Sequence, residues 1–365
     1  MALCNFTVNP FALDPGFNIA LVTSVAIDLA VHSWEVGTLS QALLELYDPQ
    51  YSVFGSSPFP VPSVSPECVP SLSYAVERIV LGSGPNGFAD AEGALADPAS
   101  LGVSAVLLGK HDARYADAVL SEIDYITTAA PRFSNDAISH RVSVAELWAD
   151  FIYMVPPFLA YAAADLDDTD LLFEAYRQCG LYREILRPPT GPGVWQHIIG
   201  PEHQDVWPWS TGNAWAAAGM VRVLATISKS PRVNWTQDAI ENLSVWILEI
   251  IDGAMSFTKE EGLVRNYLED GFGEVAGSCL FAAAIYRMAV LQPEVPRNGE
   301  HIIWADAIRA TMALHITSGG IATPAVNPMN PTDPKPLFTG SPEGNSFVVL
   351  MYAAWRDCVL VGICS

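Results

Sequence analysis

Apolar residues recur at helical spacing in twelve stretches, at roughly 17–31, 37–48, 70–82, 99–109, 113–128, 145–163, 168–187, 210–227, 235–258, 274–291, 301–316 and 343–360. Between them lie segments that cannot continue a helix, such as Ser56-Ser-Pro-Phe-Pro-Val-Pro-Ser-Val-Ser-Pro66 and Arg187-Pro-Pro-Thr-Gly-Pro-Gly193. Alternating strand patterns are scarce. Several of the helices are apolar over much of their circumference, so they need cover on more than one side. Twelve such helices in series predict six hairpins closed into a ring, an all-α (α/α)6 barrel, with residues 1–365 as one domain. An open helical array is the alternative; closure is preferred because it creates a concave mouth in which a ligand can be enclosed.

The 17–31 run carries Asp28 and is too short for a membrane span, so it reads as a core helix. Charge narrows the partners. With 18 basic against 40 acidic residues the chain stands at −22, which opposes nucleic acid and anionic membranes, both of which need a basic footprint. An anionic small ligand requires a local cluster of donors working against that field. Six cysteines lack C-x-x-C spacing, and three sequons begin at Asn5, Asn234 and Asn242. The even cysteine count and the sequons together point to an oxidising, secretory route and an extracellular protein. No basic segment, apolar stretch and cleavage site opens the chain, so secretion implies a leader already removed.

One carboxylate stands out. Asp150 sits in an aromatic and aliphatic stretch with Trp148, Phe151, Tyr153 and Met154 and has no cationic residue within a turn. Desolvation there predicts a raised pKa and a proton donor. Four other groups could join it. His140 and Arg141 precede it by about ten positions on a loop, suited to holding an anion. His197 follows Trp195 in a short Gly-flanked segment. Trp207, Trp209 and Trp215 crowd around a Gly-Asn that opens a helix, with Asp205 just before them; indoles so dense suit a sugar platform. Asp97, followed by Pro98, reads as a helix N-cap, and capping alone accounts for it. There is no P-loop, dinucleotide fingerprint, HExxH helix or GxSxG elbow, and no metal-ligand spacing, so no cofactor or metal is expected.

In order and spacing these groups resemble glycoside hydrolase family 105, the unsaturated rhamnogalacturonyl hydrolases, related to the unsaturated glucuronyl hydrolases of family 88. The resemblance rests on Asp97-Pro-Ala-Ser-Leu-Gly102, His140-Arg141, Leu147-Trp-Ala-Asp-Phe-Ile-Tyr-Met-Val-Pro-Pro-Phe158, Trp195-Gln-His197, Trp209-Ser-Thr-Gly-Asn-Ala-Trp215 and Ser341-Pro-Glu-Gly-Asn-Ser-Phe347, with Trp34-Glu-Val-Gly37 as a looser match. It implies an (α/α)6 enzyme that acts on the 4,5-unsaturated uronic acid left at a non-reducing end by polysaccharide lyases. Asp150 would protonate C4 of the vinyl ether and, as carboxylate, activate the water that adds to C5. Asp97 would keep Asp150 elevated by like-charge repulsion. His140 and His197 would bind the uronyl ring and its carboxylate, while Trp209 and Trp215 would wall the pocket.

Thr211 departs from the pattern, because many relatives have Arg there. A hydroxyl cannot replace a guanidinium that pairs with a uronate, so Arg265 or Arg141 is expected to substitute, or the substrate differs. Glucuronyl and galacturonyl termini both stay open. Two other readings compete: an inverting glycosidase with Asp150 as acid and Asp97 or Asp205 as base, and a non-catalytic carbohydrate-binding toroid.

Overall fold

Odd and even helices bury different amounts of themselves. The computed structural model describes residues 13–82, 86–89, 93–295 and 297–365. The even helices α2 (Ser33–Tyr47), α4 (Gly102–Gly109), α6 (Phe151–Leu166), α8 (Ser210–Lys229), α10 (Val275–Leu291) and α12 (Pro342–Leu360) are buried nearly all round. The odd helices α1 (Ile19–Leu29), α3 (Pro70–Arg78), α5 (Ala113–Asp124), α7 (Thr169–Leu186), α9 (Thr236–Met255) and α11 (Asn298–Thr311) bury a single stripe. In α9 that stripe runs Ala239, Ile240, Leu243, Ile247, Ile250, Ile251 and Ala254, the three- and four-residue spacing of one helical face.

Each odd helix from α3 to α11 packs on the even helix that precedes it, α1 packs on α12, and the even helices pack on one another in sequence, with α12 closing against α2. The chain is therefore an (α/α)6 barrel: an inner ring of six even helices inside an outer ring of six odd ones. The open array is ruled out by the α12–α2 contact. No described helix is long and apolar enough to cross a membrane. The Asn5 sequon and Cys4 lie outside the described residues.

Two of the predicted helices begin differently. The 99–109 stretch opens with a 3-10 turn, Asp97–Leu101, before α4. The 145–163 stretch is helical only from Phe151, because Leu147–Trp148 (β1) pairs antiparallel with Ile198–Ile199 (β2). A cross-strand partner overrides the helical pattern there. A second small hairpin joins Arg265–Tyr267 (β3) to Asp270–Gly273 (β4).

Close approach of the inner helices depends on missing side chains. Pro156, inside α6, has no N–H to give the Ile152 carbonyl. Gly219 of α8 lies directly against that carbonyl, where any Cβ would collide with it. The proline opens the α6 backbone at the point where the glycine lets α8 reach it.

Away from the site the barrel axis is plugged by charge. Glu45 of α2 is buried and accepts from Arg222 of α8 and from Arg287 of α10, which also pairs with Asp357 of α12. The Tyr153 hydroxyl accepts a further bond from Arg222 at 2.9 Å. The network ties five of the six inner helices together.

Candidate active site

The N-terminal ends of the inner helices converge on a cavity of about 480 Å3. Trp34 from α2, Asp97 from the 3-10 turn before α4, Asp150 at the cap of α6, Trp209 at the cap of α8 and Glu343 from the first turn of α12 all line it. Glu274 caps α10 and bonds the first turn of α8 beside it. Helix N-termini carry partial positive charge and unpaired N–H groups, so a ring of them favours an anionic ligand inside an acidic protein.

The small β1–β2 ladder sets the central contact. Leu147 pairs with Ile199 and Trp148 with Ile198, and the Ala149 N–H donates to the His197 carbonyl at 2.9 Å. His197 is thereby held beside Asp150, with its Nε2 at 3.4 Å from Asp150 Oδ2. The chain then turns back so that Asp205 bridges to Ile198, and Asp205 Oδ2 lies 3.0 Å from His197 Nδ1. The Tyr267 hydroxyl donates to the same Asp205 oxygen at 2.6 Å. Asp150, His197, Asp205 and Tyr267 form one line. Asp150 occupies the α6 cap position without spending its side chain on capping.

Electrostatics here run against the sequence-based expectation. Burial pushes the Asp150 carboxyl up, but the His197 imidazolium 3.4 Å away outweighs it, and the net shift is downward. Burial pulls His197 down, yet Asp150 and Asp205 on either side raise it to about 8. The pair holds one proton jointly, and the resting form is carboxylate with imidazolium. The Asp150 carboxyl is therefore not elevated as expected, and the Asp97 Oδ1 lies 3.6 Å from His140 Nε2. His140 is not at the rim. It is 3% exposed, stacked on Trp148 at 4.7 Å between ring centroids, and burial holds it down to about 4, as the neutral ring. Asp97 begins the 3-10 turn, with Ala96 in the capping position.

Of the remaining candidates, Arg141 lines the cavity, its guanidinium carbon 5.9 Å from the Trp148 ring centroid. Trp209 forms a wall, and its Nε1 donates to Asn266 at 2.9 Å. Trp207 is 61% exposed and lies outside the cavity. Two candidates are core residues. Trp215 is fully buried between Tyr153 and Phe347, and the Thr211 hydroxyl donates to Glu274 at 3.1 Å. Both point away from the mouth because only the capping turn of α8 faces it. Arg265 pairs with Glu260 on the β3–β4 hairpin and does not substitute for the missing arginine.

Several lining residues were not anticipated. Trp148 and Met154 share the Asp150 face of the chain, whereas Phe151 stacks on Tyr182 in the core. His203 also lines the mouth, with its Nδ1 2.8 Å from Glu146, a buried carboxylate that accepts from Trp148 as well. Glu343 sits deep, 3% exposed, and accepts from the Trp34 indole at 3.1 Å. It lies within the Ser341–Phe347 motif but looks there like an ordinary first-turn glutamate.

Residues 102–296, more than half of the chain, match the family model Glycosyl Hydrolase Family 88. The chain belongs to glycosyl hydrolase family 88. Among curated family relatives, the unsaturated rhamnogalacturonyl hydrolase YesR of Bacillus subtilis is 23% identical over 182 residues, 47% of this chain and 51% of that protein. The match thus spans about half the length of that relative. Solved structures share the toroid over nearly the whole length. A possible member of family 105 from Salmonella enterica superposes with a TM-score of 0.71 at 12% identity, covering 95% of this chain and 96% of that one. The unsaturated glucuronyl hydrolase of Bacillus sp. GL1 does so with a TM-score of 0.63 at 14% identity, covering 92% and 94%.

Proposed function

We propose that this family 88 protein removes a 4,5-unsaturated uronyl residue from the non-reducing end of oligosaccharides produced by polysaccharide lyases. The observation that carries the reading is the Asp150–His197–Asp205 line inside a cavity ringed by helix N-termini. The pair delivers its proton through Asp150 to C4 of the vinyl ether, and positive charge develops at C5 and the ring oxygen. Water adds its hydroxyl to C5 while its remaining proton returns to the Asp150–His197 pair. The hemiketal opens and expels the rest of the saccharide. His197 replenishes Asp150, and Asp205 with Tyr267 orients the imidazole.

One acidic centre suffices for this chemistry, whereas direct inversion needs a second carboxylate to activate water at a set separation. The two carboxylates considered for that role, Asp97 and Asp205, are each engaged by an imidazole. Trp209 and Trp148 supply ring faces for the sugar, and Arg141 and His203 supply donors. We also propose that the protein is secreted. Supporting this are a Cys358–Cys364 disulfide and exposed sequon asparagines at 234 and 242.

The test is incubation with lyase-generated oligosaccharides from pectin, glucuronan and glycosaminoglycans, following the ultraviolet absorbance of the conjugated double bond. Loss of absorbance is expected. Release of product from saturated aryl glycosides, with the unsaturated substrates untouched, overturns the reading.

A further inference from the structure

Four carboxyl groups meet around the cavity floor, and two of them carry a buried oxygen with no hydrogen-bond partner among the described residues: Asp150 Oδ2, which has the His197 ring 3.4 Å away, and Glu343 Oε2, which has no cation beside it. Glu35 accepts from the Val31 and His32 backbone at 2.8 and 2.9 Å. Asp150 faces His197. Glu274 accepts from the Ala276 and Gly277 amides and from the Ser210 and Thr211 hydroxyls. Glu343 lines the cavity and has one donor, the Trp34 indole, on Oε1; its Oε2 is buried and has no hydrogen-bond partner among the described residues. Nor does Glu343 serve its own helix, because Ser341 caps α12 by accepting from the Gly344 amide at 2.9 Å.

A buried carboxylate with one neutral donor is uncompensated, and Asp150, Glu35 and Glu274 surround it. Burial and those like charges hold Glu343 well above the ordinary carboxylate range, so it rests as the neutral acid. A neutral carboxyl carries an O–H that requires an acceptor, and none is supplied among the described residues. A ligand carboxylate has no hydrogen to give and needs donors. Its arrival also reinforces protonation of Glu343, and O–H···O⁻ bonds are among the strong ones.

We propose that Glu343 recognises the carboxylate of the terminal uronyl ring, its Oε2–H donating to a carboxylate oxygen. The inference rests on the uronyl reading above and assigns the group that takes up a role Thr211 cannot fill. It makes Glu343 a substrate-binding residue that works uncharged, which separates it from an acid–base role.

The experiment compares the wild type, Glu343→Gln and Glu343→Met on an unsaturated uronyl disaccharide from lyase digestion, as the free acid and as its methyl ester. Thermal melts confirm that each variant is folded. E343Q keeps a neutral donor and the Trp34 contact, so kcat/KM on the acid stays within about threefold of wild type. E343M loses the donor, and kcat/KM on the acid falls about 10- to 100-fold, mostly in KM. On the ester E343M falls less than about threefold. Loss of turnover in E343Q as severe as in E343M, or equal losses by E343M on acid and ester, overturns the assignment. So does wild-type behaviour of both variants. Should E343M not fold, E343Q decides alone: it must retain the wild-type preference for acid over ester. Failure of the wild type to turn over any unsaturated disaccharide would instead defeat the uronyl reading itself.

Discussion

Asp150 Oδ2 stands 3.4 Å from His197 Nε2, while the other nitrogen of the same ring is 3.0 Å from Asp205. One imidazole thus links the proposed proton donor to a second carboxylate and, through it, to the Tyr267 hydroxyl. In the proposed reaction the proton that reaches the substrate belongs to the pair rather than to a carboxyl isolated in an apolar pocket.

Asp150→Asn removes the group that hands the proton over and leaves the ring of helix N-termini intact. We expect turnover to drop at least about 100- to 10,000-fold, the range for loss of a general acid or base. Substrate binding stays measurable by calorimetry. A D150N enzyme with near-normal rate would remove Asp150 from the reaction.

The two buried histidines give opposite pH dependences. His197 is raised from 6.5 to about 8, so it binds its proton more tightly folded than unfolded. Its stabilisation is complete below pH 6.5 and is lost as pH rises through 8. His140 is lowered from 6.5 to about 4, so the unfolded chain takes up that proton first, and stability falls as pH drops from 6.5 toward 4. Melting temperature should therefore decline on both sides of near-neutral pH. His197→Gln should flatten the alkaline side and His140→Asn the acid side. The alkaline limb of kcat/KM should follow His197 as well, because above about pH 8 the pair no longer holds its proton.

The helices were legible because the inner ring is apolar all round and the outer ring on one stripe, two patterns that depend only on local spacing. Asp150 was legible because a carboxylate among Trp148, Phe151 and Met154 is chemically conspicuous. Its protonation state was not. That depends on His197, placed 47 positions away in the chain by a two-residue ladder whose strands are too short to register as alternation. Trp209 and Trp215 show the same limit: both lie in one Trp-rich motif, but one caps α8 at the mouth and the other is inside the helix. Glu343 was hidden by ordinariness, since glutamate is common in a first helical turn and only tertiary packing leaves it short of donors.

Trp209 and Trp215 should accordingly fail in different ways. Trp209→Ala strips a cavity wall and releases Asn266, whose amide otherwise donates to the Pro331 carbonyl of the rim at 2.9 Å. KM should rise with a modest change in melting temperature. Trp215→Ala opens a core void costing about 3–5 kcal/mol. Trp215→Phe, which deletes an indole N–H that has no partner, should be tolerated with KM unchanged. Equal KM effects from W209A and W215F would place Trp215 in the pocket after all.

The charge plug isolates stability from chemistry most sharply. Glu45 is 2% exposed and faces Arg222 and Arg287, both also buried, away from the cavity lined by Asp150. Glu45→Gln keeps the shape but leaves two guanidinium groups sharing Asp357 and the Tyr153 hydroxyl. Removing one partner of a buried ion pair costs about 3–5 kcal/mol, because the remaining charge stays desolvated without compensation. Denaturant unfolding of E45Q should show a loss of that order, with kcat and KM unchanged at a temperature where the variant is folded. Replacing Glu45, Arg222 and Arg287 together by apolar residues of similar volume should recover much of the loss, since the penalty lies in unpaired charge rather than in the missing bonds. A triple variant less stable than E45Q would show instead that the plug aligns the inner helices in a way that apolar packing cannot.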